Sequence, residues 1–156
     1  MTKIPFTPEG IKKIKKELEH LIKIERRNVI KAIEEARAHG DISENAEYES
    51  AKERQAYIEG RIQELSGILA NAEVIPHLTK APDKIQFGVK VKLLNLDTDE
   101  VVIYKIVGPY EADPPSGSIS INSPIARALI GKEIGDEVQV KTPSGAKNFE
   151  ILDIEI

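Results

Sequence analysis

The chain has 156 residues, 40% of them hydrophobic and 31% charged, with a formal net charge of −4 and no cysteine. This excludes a disordered chain, a disulfide framework, a thiolate zinc site and a cysteine nucleophile, and the mild acidity argues against holding nucleic acid by bulk charge alone. No apolar run approaches the roughly 20 residues of a membrane span and no apolar signal core follows Met1-Thr2-Lys3, so a soluble, cytoplasmic protein of one ordinary domain or two small ones is expected, with no membrane partner.

Thr7 caps a predicted first helix, with Pro8 in its first turn and Glu9 at its positive end. Apolar residues follow at Ile11, Ile14, Leu18, Leu21 and Ile22, then at Val29, Ile30, Ile33 and Ala36. The pattern slips around Glu25-Arg26-Arg27, which suits a hairpin better than a strict dimeric coiled coil, and Gly40 stops it. A second helix is predicted from about Glu44 to Glu73, with Ala51, Gln55, Ile58, Ile62, Leu65, Leu69 and Ala72 alternating spacings of three and four. Two such helices form a long antiparallel hairpin, a coiled-coil arm over residues 1–75 with its tip near 40–47. Near that tip the seam thins to Ala36, Ala46 and Ala51, and no small-molecule pocket is expected there.

Seven of the nine prolines lie between Pro76 and Pro143, and the pattern changes near Val74-Ile75-Pro76. Residues 76–84 read as a linker. Residues 85–156 read as a sheet wrapped around one short helix, so the fold class is α+β. Predicted strands are Ile85-Phe87, Val89-Leu96, Val101-Val107, Ser118-Ile121, Glu137-Thr142 and Asn148-Ile154. Ser123-Pro124 opens the helix and Gly131 stops it.

The tip sequence is Gly40-Asp41-Ile42-Ser43-Glu44-Asn45-Ala46-Glu47-Tyr48. The oxygens of Asp41, Glu44 and Asn45 are the hard ligands Mg²⁺ prefers, but two carboxylates cannot fill an octahedral shell. They suit part of a shell completed by another protein, a phosphate and water, as in two-metal phosphodiester hydrolysis. The same spacing also reads as a capping box, and local spacing favours that reading. Arg37, Lys52 and Arg54 form either a cationic strip for steering an RNA or DNA strand or ordinary helix charges pairing with Glu34, Glu35, Glu49 and Glu53. The three histidines are too scattered for a metal site, and there is no phosphate-binding glycine loop or nucleophile elbow. Ser123, Pro124 and Ile125 join a strand to a helix, as a packed cap or as a docking edge.

Three long motifs carry a resemblance: residues 36–48, Glu59-Gly60-Arg61-Ile62, and Asn122-Ser123-Pro124-Ile125-Ala126-Arg127-Ala128-Leu129-Ile130-Gly131-Lys132. With these, the whole chain resembles the bacterial Gre transcript-cleavage (transcription elongation) factors, in particular their GreA branch. The resemblance implies a coiled-coil hairpin that enters the secondary channel of RNA polymerase and an FKBP-like domain that docks at its rim. It further implies that Asp41 and Glu44 help hold the second catalytic Mg²⁺ of the polymerase, present only in that complex, while Asn45 positions the tip. The polymerase would then cleave its own backtracked RNA, so the chain is no enzyme itself and has no cofactor in isolation. Arg37 and Lys52, with Arg54 beside them, match the patch that meets the nascent RNA, and Ser123, Pro124 and Ile125 match the polymerase-docking segment. Many relatives carry arginine where Lys52 stands, so a point charge replaces a bidentate fork. The acidic tip argues against an inhibitory paralogue, and the small basic group against the GreB type. A coiled-coil chaperone or FKBP-like prolyl isomerase is the alternative from another class, and the scarcity of aromatics in the second half argues against the isomerase.

Overall fold

A computed structural model describes residues 2–40 and 46–156. Residues 11–72 form one compact unit, and residues 2–10 together with 73–156 form another. No helix among the described residues is long and apolar enough to cross a membrane.

The first unit takes in α1 (Pro8–His20) from Ile11 onward; α1 continues through one π-helical turn (Leu21–Glu25) into α2 (Arg26–Arg37), and α3 (Ala46–Ala70) packs back against α2. At 1.5 Å per residue, α3 is about 37 Å long. Ile11, Ile14, Leu21, Val29, Ile33 and Ala36 bury one side of the seam; Ala51, Ile58, Ile62, Leu65 and Ile68 bury the other.

The slip in the apolar pattern has its physical cause in the π turn. Alternating steps of three and four beyond Leu21 would bring Asn28 and Glu35 into the seam, whereas the buried residues are Val29, Ile33 and Ala36, one position later. A π turn absorbs one additional residue, so the apolar face of α2 stays on the seam. Two stripe residues fall outside it: Ile22 is 37% exposed and Ile30 43% exposed. At the end of α3 the buried residue is Ile68, with Leu69 only half-buried, because the straight helix drifts against a strict heptad.

The second unit is a five-stranded sheet in the order β5-β4-β3-β7-β6, comprising β3 (Lys90–Asn95), β4 (Val101–Val107), β5 (Ser118–Ser120), β6 (Glu137–Thr142) and β7 (Gly145–Glu155). Neighbours are antiparallel except for the parallel β4–β5 pair. Against one face lies α4 (Pro124–Leu129), whose Ala126 and Leu129 join Val91, Leu93, Ile106, Phe149 and Ile151 in the core. Leu152 is an extra residue opposite β3, since Lys92 pairs with Asp153 and Leu93 with Ile151.

Ile85-Phe87 is not a strand. Ile85 is buried and tied to the loop after α4: its N–H donates to the Lys132 carbonyl at 2.9 Å and its carbonyl accepts from Gly131 at 2.8 Å. Gly88, at φ +90°, then turns the chain into β3. Two short strands were not anticipated: β1 (Ile4–Phe6) pairs with β2 (Ala72–Val74).

Glu111 pins the start of α1 to the loop after β4. Its carboxylate accepts from the Thr7 N–H at 2.8 Å, the Gly108 N–H at 3.1 Å and the Thr7 hydroxyl, while Thr7 Oγ1 caps the helix by accepting from the Gly10 N–H at 3.1 Å. Both glycines are required by close approach. A Cβ at Gly10 would fall on the Glu111 carboxylate, and one at Gly108 on the Pro5 carbonyl.

Candidate functional site

At the far end of the hairpin α2 closes on Ala38, His39 and Gly40, with the Ala38 N–H donating to the Glu34 carbonyl and the Gly40 N–H to the Arg37 carbonyl, both at 3.2 Å. Gly40 takes φ +98°, a left-handed conformation that favours glycine at a helix end. Asp41, Ile42, Glu44 and Asn45, on which the capping and metal readings rest, lie outside the described residues. The donor set itself, two carboxylates and an amide, fits a share of a Mg²⁺ shell and is too small for a whole one. Among the described residues no group of three or more histidine and acidic side chains could hold a metal ion.

The basic residues around the tip have specific partners. The Arg37 guanidinium sits 5.9 Å from the centroid of the Tyr48 ring, a cation–π contact that joins the last turn of α2 to the first turn of α3. Lys52 Nζ donates to Gln55 Oε1 at 3.0 Å. Arg54 donates across the hairpin to Glu25, which also meets His20 Nε2 at 3.1 Å. Arg37, Lys52 and Arg54 therefore do not pair with Glu34, Glu35, Glu49 and Glu53 in the described structure. Arg37 and Lys52 keep their charges uncompensated by a carboxylate among the described residues, whereas Arg54 is bound into the hairpin.

Between α2 and α3, the small side chains of Ala32, Ala36, Ala46, Ser50 and Ala51 leave an open groove of about 510 Å³, also lined by Arg54. The thin seam was visible in sequence, but the groove it leaves was not.

The Glu59-Gly60-Arg61-Ile62 motif clamps the hairpin. Arg26 donates twice to the Glu59 carboxylate, both at 2.8 Å, and Arg61 donates to Glu17 at 2.7 and 3.1 Å and also to Glu64. The hydrogen bond from Arg26 holds the Glu59 carboxyl below its ordinary value, and the hydrogen bond to Glu17 raises Arg61. Ile62 is buried in the seam. A Cβ at Gly60 would meet nothing within 4 Å, so packing does not explain that glycine.

In the second unit Ser123 is the N-cap of α4, accepting from the Ala126 N–H at 3.3 Å and donating to the Ser120 carbonyl at 2.7 Å. Pro124 is exposed in the first turn and Ile125 packs against the core. The segment is thus a fixed corner that presents a proline outward.

Two family descriptions cover the chain: "Transcription elongation factor, N-terminal" matches residues 4–74, and "Transcription elongation factor, GreA/GreB, C-term" matches residues 79–156. The chain is 55% identical over 152 residues to the transcription elongation factor GreA of Thermodesulfovibrio yellowstonii, covering 97% of this chain and 96% of the relative. It is 56% identical over 155 residues to that of Ruegeria pomeroyi, covering 99% of each. Among solved structures it is similar to Thermus aquaticus Gfh1, at 29% identity and a TM-score of 0.46 over 100% of each chain.

Proposed function

The chain belongs to the GreA/GreB family of transcription elongation factors, and from that premise we propose that it rescues backtracked RNA polymerase by carrying Asp41 and Glu44 to the polymerase active site. The observation that supports this most directly is a two-helix arm whose connecting segment bears both acids and an amide in its sequence, flanked by the Arg37–Tyr48 contact. Asp41 and Glu44 would supply carboxylate oxygens to a Mg²⁺ ion shared with the polymerase. When bound there, such an ion would supply activation of water for attack on the RNA phosphodiester. Asn45 orients the tip, Arg37 and Lys52 meet the phosphates of the extruded nascent RNA 3′ end, and the Ser123-Pro124-Ile125 corner docks on the polymerase. A share of a metal shell makes a poor hydrolase, so the isolated chain cleaves no RNA. Arg54, held by Glu25, contributes less to RNA than Arg37. No finding favours the chaperone, isomerase or inhibitory readings.

The test is RNA cleavage in a purified backtracked elongation complex. Wild type should release Mg²⁺-dependent 3′ fragments. The Asp41→Ala/Glu44→Ala variant should bind the polymerase and lose about two orders of magnitude in rate, the scale of removing an electrostatic group from a reacting centre. Normal binding with normal cleavage by the variant would return both acids to helix capping.

A further inference from the structure

The outer face of the β3–β4 ladder carries a pair of charges that the sheet does not need. Lys90 and Lys105 stand directly opposite one another in the antiparallel register, where like charges destabilise the pair. Among the described residues neither ammonium has a carboxylate within 4.0 Å. Glu155 is the other cross-strand neighbour of Lys90 but makes no ion pair with it. The nearby Glu9 accepts from His77 Nε2 at 2.5 Å and is also attracted by the Lys105 charge, which shares in holding its carboxyl below the ordinary value without forming an ion pair.

The two lysines line a cavity of about 360 Å³ together with Thr7 and Pro8 at the start of α1, His77, Phe87 and the last residue, Ile156. That volume lies within the range of small-molecule sites, about 300–1,000 Å³. The open space over Gly88, where a Cβ would meet nothing within 4 Å, forms part of it. Lys90 and Lys105 make one side cationic, and another, at Phe87, is apolar.

We infer that this cavity binds a phosphate-type oxyanion held between the Lys90 and Lys105 ammonium groups. The anion relieves the repulsion between them, and Phe87 receives whatever apolar part the ligand carries. The site lies wholly in the second unit and is independent of transcript cleavage.

Two readouts test it on the full chain. In NMR titrations at constant ionic strength, adjusted with chloride, the probes are inorganic phosphate and adenosine 5′-diphosphate. Saturable shifts at Gly88, Lys90 and Lys105 are expected. They should weaken about tenfold or more in Lys90→Ser/Lys105→Ser and persist in Lys141→Ser/Lys147→Ser, which alters exposed lysines on β6 and β7. Tighter binding of the diphosphate would identify a phosphorylated metabolite as the ligand; equal binding would identify free phosphate. The second readout is thermal: in chloride alone the Lys90→Ser/Lys105→Ser variant should melt no lower than wild type, and added probe should raise the melting temperature of wild type only. Absence of saturation with either probe, equal response of the two double variants, or a lower melting temperature of Lys90→Ser/Lys105→Ser in chloride would overturn the inference.

Discussion

Glu111 offers a stability prediction whose sign changes with the background. Glu111→Ala removes the acceptor for the Thr7 N–H, the Thr7 hydroxyl and the Gly108 N–H. Thr7 is only 4% exposed, so its two donors cannot fully recover a partner from water. Leaving a buried donor unmet costs about 1–3 kcal/mol, and two of them give an expected loss of about 3 kcal/mol. Gly10→Ala in the wild-type background drives the new methyl into the same carboxylate and should cost about 2 kcal/mol through the lost hydrogen bonds. Combined with Glu111→Ala, the same change is relieved of its three nearest neighbours, all of them atoms of the Glu111 carboxylate, and should gain about 0.5–1 kcal/mol from the better helix propensity of alanine. The assay is a urea titration of all four proteins read on the Val91 amide in β3, which reports the second unit. If Gly10→Ala destabilised both backgrounds equally, or Glu111→Ala cost less than about 0.5 kcal/mol, Glu111 would not be the tie that joins Thr7 to Gly108.

Two further predictions concern the arm. Deleting Ile24, which is 48% exposed within the π turn, should turn that turn into ordinary α-helix and leave the melting temperature near that of wild type. Deleting Lys31 instead rotates the following residues by about 100° and should unfold the hairpin; equal outcomes would show that the π turn does not set the register. The second prediction is acid lability. The Glu25 carboxyl is lowered from its ordinary 4.5 by the Arg54 hydrogen bond and then by His20, and Glu59 by Arg26. A carboxyl lowered in the folded state contributes stability that is fully present above its unfolded value and is lost as pH falls through the folded one. Between about pH 5 and pH 3 the melting temperature of Glu25→Gln/Glu59→Gln should therefore fall less than that of wild type; parallel curves would show that these pairs do not drive the acid transition.

The elements that were legible in sequence are those with strong local period. The hairpin and the strands β3, β4 and β6 follow from apolar spacing, and α4 from Ser123-Pro124 and Gly131. What was hidden depends on partners distant in the chain. β1 is three residues long and exists because β2, more than 60 residues later, pairs with it. Ile85-Phe87 has strand-like residues, but Gly131 and Lys132 take its hydrogen bonds. The slip near Glu25 was visible, whereas its cause required a helix form that apolar spacing does not distinguish from a break. At the site, sequence reasoning named Arg37, Lys52 and Arg54 as one patch, and only the cross-hairpin reach of Glu25 separates Arg54 from the other two. Nothing local in Lys90 or Lys105 announced that they would face each other, because that follows from strand register.

The membership of residues 2–10 in the second unit gives the chain the logic of an inserted cassette. The β unit is written in two pieces, and the hairpin is spliced between them, leaving after β1 and returning at β2. The return is fastened by the Ile75 N–H, which donates to the Phe6 carbonyl at 2.9 Å. Because departure and return are adjacent, the insert can be lengthened by whole heptads, exchanged for another hairpin or excised without altering the order of strands in the sheet. A lineage can therefore vary what the arm delivers while leaving the platform that carries it unchanged.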